Sequence, residues 1–336
     1  MTKTYPFKKI LVTGGCGFIG SSYIQNILNN YDGIEIQNID LMTYATSKKT
    51  LALLDEYKNF SHSTLDISEF SLIDKEIKSF DPDLIVNFAA ESHVDNSIEG
   101  ALPFVNSNIL GVFNLLEISK NLRDRNKKKF LFHQISTDEV YGDLDATEPA
   151  FTEEHPYDPS SPYSATKASA DMLVSAWGRT FEIPYLITNC SNNFGPRQYS
   201  EKLIPKIICN AMNNIDIPIY GNGLNIRDWI YVDDHTQAII ELHKKDIVAD
   251  RFNIGGDNEI TNLDLVENII KILQSQYNLN PRVKFVDDRK GHDARYAINM
   301  KKTNSFLGEL PRKTFQENLE KTIAWYVKNS DWWDGS

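Results

Sequence analysis

The chain has 336 residues, of which 41% are hydrophobic and 24% are charged, and its formal net charge is −11. This composition is typical of a globular protein, and the length allows one large domain or two closely packed domains. The negative charge argues against nucleic acid as the main partner, although a few focused Arg and Lys side chains can still bind phosphate groups.

The first half of the chain alternates short apolar runs with segments of helical periodicity. The apolar runs predict strands at residues 9–13, 34–39, 84–90, 130–136 and 185–190. Helical periodicity covers residues 17–28 and 104–122. Because strands and helices alternate in this order, we predict an α/β fold with a doubly wound, Rossmann-like parallel sheet.

The second half has a different texture, because Pro and Gly residues separate shorter elements beyond the last of these strands. Helices are predicted over residues 263–273 and 315–328. We expect a cofactor-binding domain over residues 1–191 and a smaller C-terminal α/β substrate lobe, mainly residues 192–336. Residues 229–255 are expected to return to the first domain.

A glycine-rich turn follows the first predicted strand and opens the first predicted helix. Gly14, Gly17 and Gly20 have the spacing G-x-x-G-x-x-G. Residues without a Cβ allow a pyrophosphate to approach the backbone N–H groups at a helix N-terminus. The turn therefore predicts a dinucleotide site, and the alternative is a tight β-to-α turn that binds no ligand.

Asp40 favours the dinucleotide interpretation, because it lies twenty residues beyond Gly20, at the end of the second predicted strand. A carboxylate at that place accepts hydrogen bonds from ribose hydroxyls and repels a 2′-phosphate. The pattern therefore favours NAD over NADP, although the nearby Lys48 and Lys49 leave NADP open.

The spacing Tyr-x-x-x-Lys occurs three times, but only the pair Tyr163 and Lys167 begins a predicted helix. On a helix, side chains four residues apart share a face. We expect the Lys167 ammonium to lower the pKa of the Tyr163 phenol, so that the tyrosinate acts as a general base in alcohol oxidation. The alternative is an amphipathic helix start with an exposed lysine.

Two adjacent carboxylates, Asp138 and Glu139, follow Thr137 at the end of a predicted parallel strand. Open α/β sheets bind ligands at that edge. Neighbouring like charges push two pKa values apart, so that one carboxyl can stay protonated as an acid while the other acts as a base. The alternative is a solvated acidic turn.

Other residue patterns set limits on location and partners. No apolar run approaches the ~18 residues that a membrane span requires. The N-terminal segment lacks the apolar core of a signal peptide. The seven histidines have no zinc-site spacing, and neither disulfide nor metal-ligand spacing relates the three cysteines, Cys16, Cys190 and Cys209. We expect a cytoplasmic protein without a membrane partner or a bound metal.

Taken with these features, the chain resembles the extended short-chain dehydrogenase/reductases and, more narrowly, the dTDP-glucose 4,6-dehydratases. The resemblance covers nearly the whole chain. The most specific strings are Thr137-Asp138-Glu139 and Glu201-Lys202-Leu203-Ile204-Pro205. Further matching strings are NFAAESHVD at 87–95, SNNFGP at 191–196, YGNG at 220–223, RDW at 227–229 and RKGHD at 289–293.

The resemblance implies a mechanism with a tightly bound NAD. Tyr163 would take the C4 hydroxyl proton as hydride moves from C4 to the nicotinamide, and Thr137 would hold that hydroxyl. Glu139 would remove the C5 proton, and Asp138 would protonate the departing C6 hydroxyl. Hydride would then return to C6, which gives a 4-keto-6-deoxy sugar nucleotide. Lys167 would also bind the nicotinamide ribose.

Residue by residue, the resemblance also implies two binding sets. The NAD set is Gly14, Gly17, Phe18, Ile19, Gly20, Asp40, Thr43, Asp66, Ile67, Ala89, Ala90, Tyr163, Lys167 and Asn193. The nucleotide-sugar set is Ser92, Thr137, Asn192, Lys202, Leu203, Pro218, Tyr220, Arg227, Asn262, Arg289 and His292. Lys290 and Ala294 depart from the family pattern, which leaves the nucleotide open.

Family likeness further implies a homodimer, with a contact that includes the helices near residues 104–122 and 163–180. Four rival functions remain, and the first is a 4,6-dehydratase of the same family that acts on another nucleotide sugar. A UDP-sugar 4-epimerase or a UDP-glucuronate decarboxylase would keep the Tyr/Lys pair but would not need a carboxyl pair to expel water. A regulatory protein that only binds NAD would have no use for either pair.

Overall fold

The computed structural model describes residues 4–126, 129–288 and 291–333. Its strands are β1 (Lys9–Thr13), β2 (Glu35–Asp40), β3 (Phe60–Thr64), β4 (Leu84–Asn87), β5 (Leu131–Thr137), β6 (Tyr185–Cys190), β7 (Asn192–Phe194), β8 (Ile217–Tyr220), β9 (Ile226–Tyr231), β10 (Ala249–Ile254), β11 (Glu259–Thr261) and β12 (Val283–Val286).

Its helices are α1 (Phe18–Asn30), α2 (Lys48–Leu54), α3 (Phe70–Phe80), α4 (Val94–Glu99), α5 (Leu102–Phe104), α6 (Val112–Asn126), α7 (Pro162–Phe181), α8 (Leu203–Met212), α9 (Val232–His243), α10 (Asn262–Tyr277), α11 (Lys301–Leu307), α12 (Phe315–Lys328) and α13 (Ser330–Trp333). Across the described ranges, no helix is both long enough and apolar enough to cross a membrane.

Seven strands form one parallel sheet in the order β10-β6-β5-β4-β1-β2-β3. Successive residues of β1 show why both faces are buried. Ile10 and Val12 pack with α1 and α9 on one side, whereas Leu11 packs with α3, α6 and α7 on the other. Side chains alternate across a strand, so a continuous apolar run is what a doubly covered parallel sheet requires. The predicted fold class is confirmed.

The helix predicted over residues 104–122 is interrupted. The structure has α5, then a π-helical stretch over Val105–Gly111, and then α6. Asn108 lies in this stretch, where its Oδ1 accepts from the N–H of Glu91 at 2.9 Å and its Nδ2 donates to Thr166 Oγ1 at 2.9 Å. Hydrophobic periodicity does not reveal such contacts, and π-helical turns often accompany functional sites.

The second half forms a smaller lobe around its own apolar cluster, which involves α8, α10 and α12. Its strands form a three-stranded sheet in the order β11-β9-β7 and a two-stranded sheet of β8 and β12. The segment 229–255 is divided between the two parts of the molecule. Strand β9 lies in the lobe, whereas α9 packs on α1 and β10 pairs with β6 at the edge of the large sheet.

Candidate active site

A cavity of about 520 Å³ opens at the carboxyl ends of the parallel strands. Residues that follow β1 to β6 line it, and residues between Cys190 and Lys202 supply the wall nearest the smaller lobe. Ligands of open parallel sheets bind at this edge, because the strands end there and the loops diverge.

The glycine turn forms one end of this cavity. Gly14 has φ +70°, and a Cβ at this residue would lie 2.6 Å from the backbone nitrogen of Ala89. A Cβ on Gly17 would lie 3.2 Å from the carbonyl oxygen of Gly14, and one on Gly20 would lie 2.5 Å from the same oxygen. Residues 14 and 20 therefore require glycine, whereas a Cβ at residue 17 would be a tight contact, and the turn leaves the N-terminus of α1 open to an anion.

Asp40 ends β2 beside the same turn. Its carboxylate accepts from the backbone N–H groups of Cys16 at 2.9 Å and of Met42 at 2.8 Å. Burial raises the pKa of this carboxyl, while the two backbone donors act in the opposite direction. A carboxylate oxygen has two lone pairs, so the group can still accept hydrogen bonds from a diol such as a ribose.

Five side chains with catalytic chemistry meet at the other end of the cavity. Thr137, Asp138 and Glu139 leave the end of β5 in a short 3₁₀ turn, where the Thr137 hydroxyl accepts from the Glu139 N–H at 3.3 Å. Tyr163 and Lys167 lie in the first turns of α7, which begins with a Ser-capped turn and a proline in its first turn. All five line the cavity.

Asp138 has the environment of a proton donor. Burial raises its pKa well above the usual value, and the neighbouring charges of Glu139 and Asp228 act in the same direction. Arg227 and the Thr137 hydroxyl oppose the rise. Within the described part of the chain, Oδ2 of Asp138 is buried without a hydrogen-bond partner. A neutral carboxylic acid that faces a cavity suits donation to a leaving hydroxyl.

The expected effect of Lys167 on Tyr163 is wrong in this structure. Burial raises the pKa of the Tyr163 phenol well above its usual value, and the charge of Glu139 adds to the rise, while the Thr137 hydroxyl opposes it. Lys167 points elsewhere, since its Nζ donates to the carbonyl oxygen of Ile135 at 2.7 Å. Spacing alone predicted that the two residues share a helix face, but not where the ammonium is bound.

Comparison with known proteins bears on this geometry. The family model described as GDP-mannose 4,6 dehydratase matches residues 11–322. The dTDP-glucose 4,6-dehydratase of Haemophilus influenzae is 46% identical over 96% of this chain and 98% of the relative. The chain belongs to the dTDP-glucose 4,6-dehydratase family.

Solved structures of this dehydratase family share the fold. The enzyme from Bacillus anthracis in complex with NAD has a TM-score of 0.87 and 41% identity, and the match covers 97% of this chain and 98% of that one. The enzyme from Streptomyces venezuelae with NAD and TYD bound has a TM-score of 0.89 and 37% identity, over 97% and 99% of the two chains. The predicted family resemblance is confirmed.

The cavity of the present protein brings together every residue that was predicted to bind NAD. It also includes four residues of the predicted nucleotide-sugar set, which are Ser92, Thr137, Asn192 and Lys202. Six others do not line the cavity, and these are Leu203, Pro218, Tyr220, Arg227, Asn262 and His292. Arg289 lies outside the described residues.

The six remaining residues lie in the smaller lobe, five of them in helices or strands and His292 between β12 and α11. Tyr220 at the end of β8 lies edge-on to His292, with ring centroids 6.5 Å apart. Arg227 on β9 is nearly buried, and its guanidinium stacks on the ring of Tyr296 at 4.3 Å. Arg227 is therefore close enough to Asp138 to act on its pKa, although it lies outside the cavity wall.

Several residues of the cavity wall were not predicted. Cys190 ends β6 and Ser191 follows it, and the rule that sites lie at strand ends could have found them. Tyr199 and Glu201 come from an irregular segment that has no periodic signal, and Tyr199 packs edge-on to Tyr44 at 5.9 Å between ring centroids.

A metal site does not emerge from the geometry. Among the side chains that the structure describes, no group of three or more His, Cys, Asp or Glu could hold a metal ion. The prediction that no metal is bound stays a prediction.

Proposed function

We propose that this protein converts dTDP-glucose to dTDP-4-keto-6-deoxyglucose and water, with a tightly bound NAD. The observation that carries the proposal is the convergence of Tyr163, Asp138 and Glu139 on the one cavity that also contains the glycine turn. An epimerase or decarboxylase has no use for an acid and a base placed together at this position. Strong identity to curated dTDP-glucose 4,6-dehydratases supports the same assignment.

The residues present fit NAD. The glycine turn packs closely because Cβ atoms at Gly14 and Gly20 would collide with backbone atoms, and it lies at the N-terminus of α1, which suits a pyrophosphate. Asp40 would hold the adenosine ribose, and Asp66 and Ile67 would contact the adenine. Lys167 would hold the nicotinamide ribose. When bound, NAD supplies a hydride acceptor at C4 of the sugar and a hydride donor at C6.

The acid and base groups of the chain divide the remaining chemistry. Tyr163 accepts the proton of the C4 hydroxyl, which Thr137 holds in place. Because burial raises the pKa of the Tyr163 phenol, this step requires the phenol to ionise when substrate and cofactor fill the cavity. The resulting 4-keto group acidifies the C5 proton, and Glu139 removes it. Asp138 gives its proton to the C6 hydroxyl, which leaves as water as the C5–C6 double bond forms. Return of the proton to C5 completes the product.

We propose a division of the chain into residues 1–191 and 192–336, with residues 229–255 shared. We assign the nucleotide end of the substrate to the smaller lobe. The contact of Tyr220 with His292 and the position of Leu203 at the start of α8 support this assignment. Lys202 and Asn192 would hold the sugar-proximal phosphate and hydroxyls, since both line the cavity.

We also propose a cytoplasmic homodimer. Exposed apolar side chains on the helices predicted to form the contact support it, with Leu102 68%, Leu110 41% and Met172 57% exposed. The cytoplasmic location rests on the cysteine pattern, and the structure adds that Cys16, Cys190 and Cys209 are buried thiols. Subcellular fractionation measures the location directly.

The function is tested by incubating the purified protein with dTDP-glucose and no added cofactor. We expect a 4-keto sugar, measured by its absorbance in alkali, and a product lighter than the substrate by one water. A 4-epimerase would return dTDP-galactose at unchanged mass, and a regulatory protein would leave the substrate intact. Parallel reactions with UDP-, GDP- and CDP-glucose define the nucleotide.

A further inference from the structure

A buried carboxylate lies behind the Tyr/Lys pair and has no part in the chemistry described so far. Asp171 is on α7, one turn beyond Lys167 and two turns beyond Tyr163, and its side chain is completely buried outside the cavity wall. We propose that Asp171 is a positioning residue, which keeps Lys167 charged and ties the end of β5 to α7. The inference deepens the proposed function, since it concerns the same site.

The contacts of Asp171 join the two elements that carry the catalytic groups. Its Oδ2 accepts from the Ser136 hydroxyl at 2.7 Å, the Tyr157 hydroxyl at 2.8 Å and Asn189 Nδ2 at 3.3 Å. The same Asn189 amide donates to the carbonyl oxygen of Thr137 at 3.0 Å. Asp171 therefore fixes the last residues of β5, next to Asp138 and Glu139, against the helix that carries Tyr163.

Lys167 and Asp171 are both buried and lie one turn apart on the same face of α7, and their charges act on each other without a direct ion pair between these two described side chains. Burial lowers the pKa of Lys167, and the nearby Asp171 carboxylate is the largest influence that raises it again, followed by Cys190. In return, Lys167 lowers the pKa of Asp171, which burial raises. Removing either member of a buried pair leaves an uncompensated charge, so each group stabilises the ionised form of the other.

Other charged or titratable groups also face this pair. Cys190 on β6 acts on Lys167, while Tyr157 and Arg251 act on Asp171. Arg251 stacks over the ring of Tyr157 at 4.5 Å rather than bonding to the carboxylate. Tyr157 contributes a hydrogen bond but no charge. Its removal therefore shows the effect of losing a contact to Asp171 while the charge of Asp171 stays.

The amide oxygen of an Asn could accept from the same three donors that now bind Oδ2 of Asp171. An Asn at this position would therefore keep most of the contacts. Oδ1 of Asp171 is buried, and within the described ranges it has no hydrogen-bond partner. A charged group in this place therefore carries a desolvation cost that its hydrogen bonds at Oδ2 alone do not require. The charge is explained if its purpose is to hold Lys167 as an ammonium.

The test is a titration of Lys167 by NMR in protein labelled with ¹³C at the lysine Cε, with Lys167→Met to assign the signal. We expect Asp171→Asn to lower the titration midpoint of Lys167 by about one pH unit or more. Tyr157→Phe is the matched control, because it removes a contact to the same oxygen and keeps the charge, so the midpoint should stay. An unchanged midpoint in Asp171→Asn overturns the proposal.

A reciprocal measurement covers the case in which Asp171→Asn does not fold. In Lys167→Met, the ¹³C carboxyl signal of Asp171 should titrate at higher pH than in the wild type, since coupling between two sites is mutual. A carboxyl midpoint that stays in place overturns the proposal as well. Neither titration depends on turnover, so inactivity of the wild type on dTDP-glucose would refute the proposed function separately.

In active enzyme, the alkaline limb of kcat/KM should move to lower pH in Asp171→Asn by the same amount as the Lys167 midpoint, with a KM within about twofold of wild type. The sign follows because loss of the negative charge lets Lys167 deprotonate at lower pH. A purely structural role would instead reduce kcat at every pH with the limb in place, and that result would overturn the proposal.

Discussion

The two adjacent carboxyl groups at the end of β5 illustrate how position divides one chemical type into two roles. Asp138 is 2% exposed, whereas Glu139 is only partly buried and lies on the cavity wall. The deeper group holds a proton more tightly because desolvation disfavours its ionised form. The same two residues in a solvated turn would titrate alike and could not act as acid and base.

Replacing Glu139 by Gln tests the base directly. We expect C5 exchange with solvent to fall by about 10²- to 10⁴-fold, the usual worth of a general base, because the amide cannot accept the proton. Bound NAD should remain, since Glu139 is not in the predicted NAD set. Deuterium incorporation at C5 in D₂O is the measurement.

Glu56→Gln provides the matched control, because Glu56 belongs to an exposed acidic pair, Asp55-Glu56, and does not line the cavity. It should leave exchange unchanged. Normal exchange in Glu139→Gln would remove Glu139 from the mechanism.

At the scale of elements, the glycine turn is constrained by a neighbouring loop. The backbone of Ala89 would lie 2.6 Å from a Cβ on Gly14, whose φ of +70° also disfavours any other residue. We expect Gly14→Ala to lose copurified NAD and to destabilise the fold by roughly 1–3 kcal/mol. Absorbance of the released nucleotide and chemical denaturation are the measurements.

Gly100→Ala is the appropriate comparison for Gly14→Ala. A Cβ on Gly100 would meet no atom within 4 Å, and its φ is not in the left-handed region. This variant should retain NAD and stability. Equal NAD retention and equal stability of the two alanine variants would contradict the proposed role of Gly14 in the NAD-binding turn.

A buried histidine pair joins β5, α9 and the segment that precedes β1. His133 Nδ1 on β5 lies 2.7 Å from His243 Nε2 on α9, and His243 Nδ1 lies 2.6 Å from the hydroxyl of Tyr5. Burial lowers the pKa of both imidazoles, that of His243 to about 3. The folded state therefore holds both rings neutral, while the unfolded chain protonates them below a pKa of about 6.5.

The sign of the pH effect follows from these shifts. Because the folded pKa is below the unfolded one, the stabilisation is present above about pH 6.5 and is lost as pH falls towards 3. Buried acids such as Asp138 and Asp228, whose pKa is raised, act in the opposite sense. A histidine variant is therefore needed to isolate the contribution of the buried imidazoles to the pH dependence of stability.

We predict that the wild type loses about 1.6 kcal/mol of unfolding free energy relative to His243→Gln between pH 6.5 and pH 5, because the slope rises from about half of 1.4 kcal/mol per pH unit at pH 6.5 to nearly the full value at pH 5. Urea denaturation at a series of pH values measures the difference. Parallel pH dependence in the two proteins would show that His243 is not buried neutral.

The elements with correctly predicted bounds are those that local interactions determine. Strands β1 and β6 and helix α12 have the predicted bounds, because their apolar periodicity and capping signals are local. The strand predicted over residues 84–90 stops at Asn87, where the chain passes over Gly14. That approach involves residues more than seventy positions apart, which no local pattern reveals.

The site shows the same division between local and distant causes. The motif at 137–139 and the Tyr163 helix start were predicted as catalytic, and the structure places both on one cavity. The environment of Lys167 was not predicted, because it depends on the carbonyl group of Ile135 on β5 and on the charge of Asp171, one turn further along α7. Motifs reveal which groups are available, whereas their protonation depends on packing.

For the whole molecule, one cavity lies between a large parallel sheet and a smaller lobe, with residues from both on its walls. The proposed dimer contact uses α5 to α7, and Leu102, Tyr163 and Lys167 from these helices also line the cavity of each protomer. We expect Met172→Glu to yield monomers, because a charge would be buried in the contact between helices. Light scattering after size exclusion measures the mass.

Phe285→Glu should leave the assembly unchanged, since Phe285 is 57% exposed on β12 of the smaller lobe, whereas the predicted contact uses α5 to α7. A wild type that is monomeric at micromolar concentration, or a dimeric Met172→Glu, would contradict the proposed contact.

The most direct test of the account follows one hydrogen atom through turnover of dTDP-glucose labelled with deuterium at C4. If Tyr163, Asp138 and Glu139 act on a single hexose in one cavity, the label will appear in the C6 methyl group of a 4-keto product, and C5 will carry a solvent hydrogen. NMR of the product reads both positions at once. Label that stays at C4 in an unchanged or epimerised sugar would contradict dehydration.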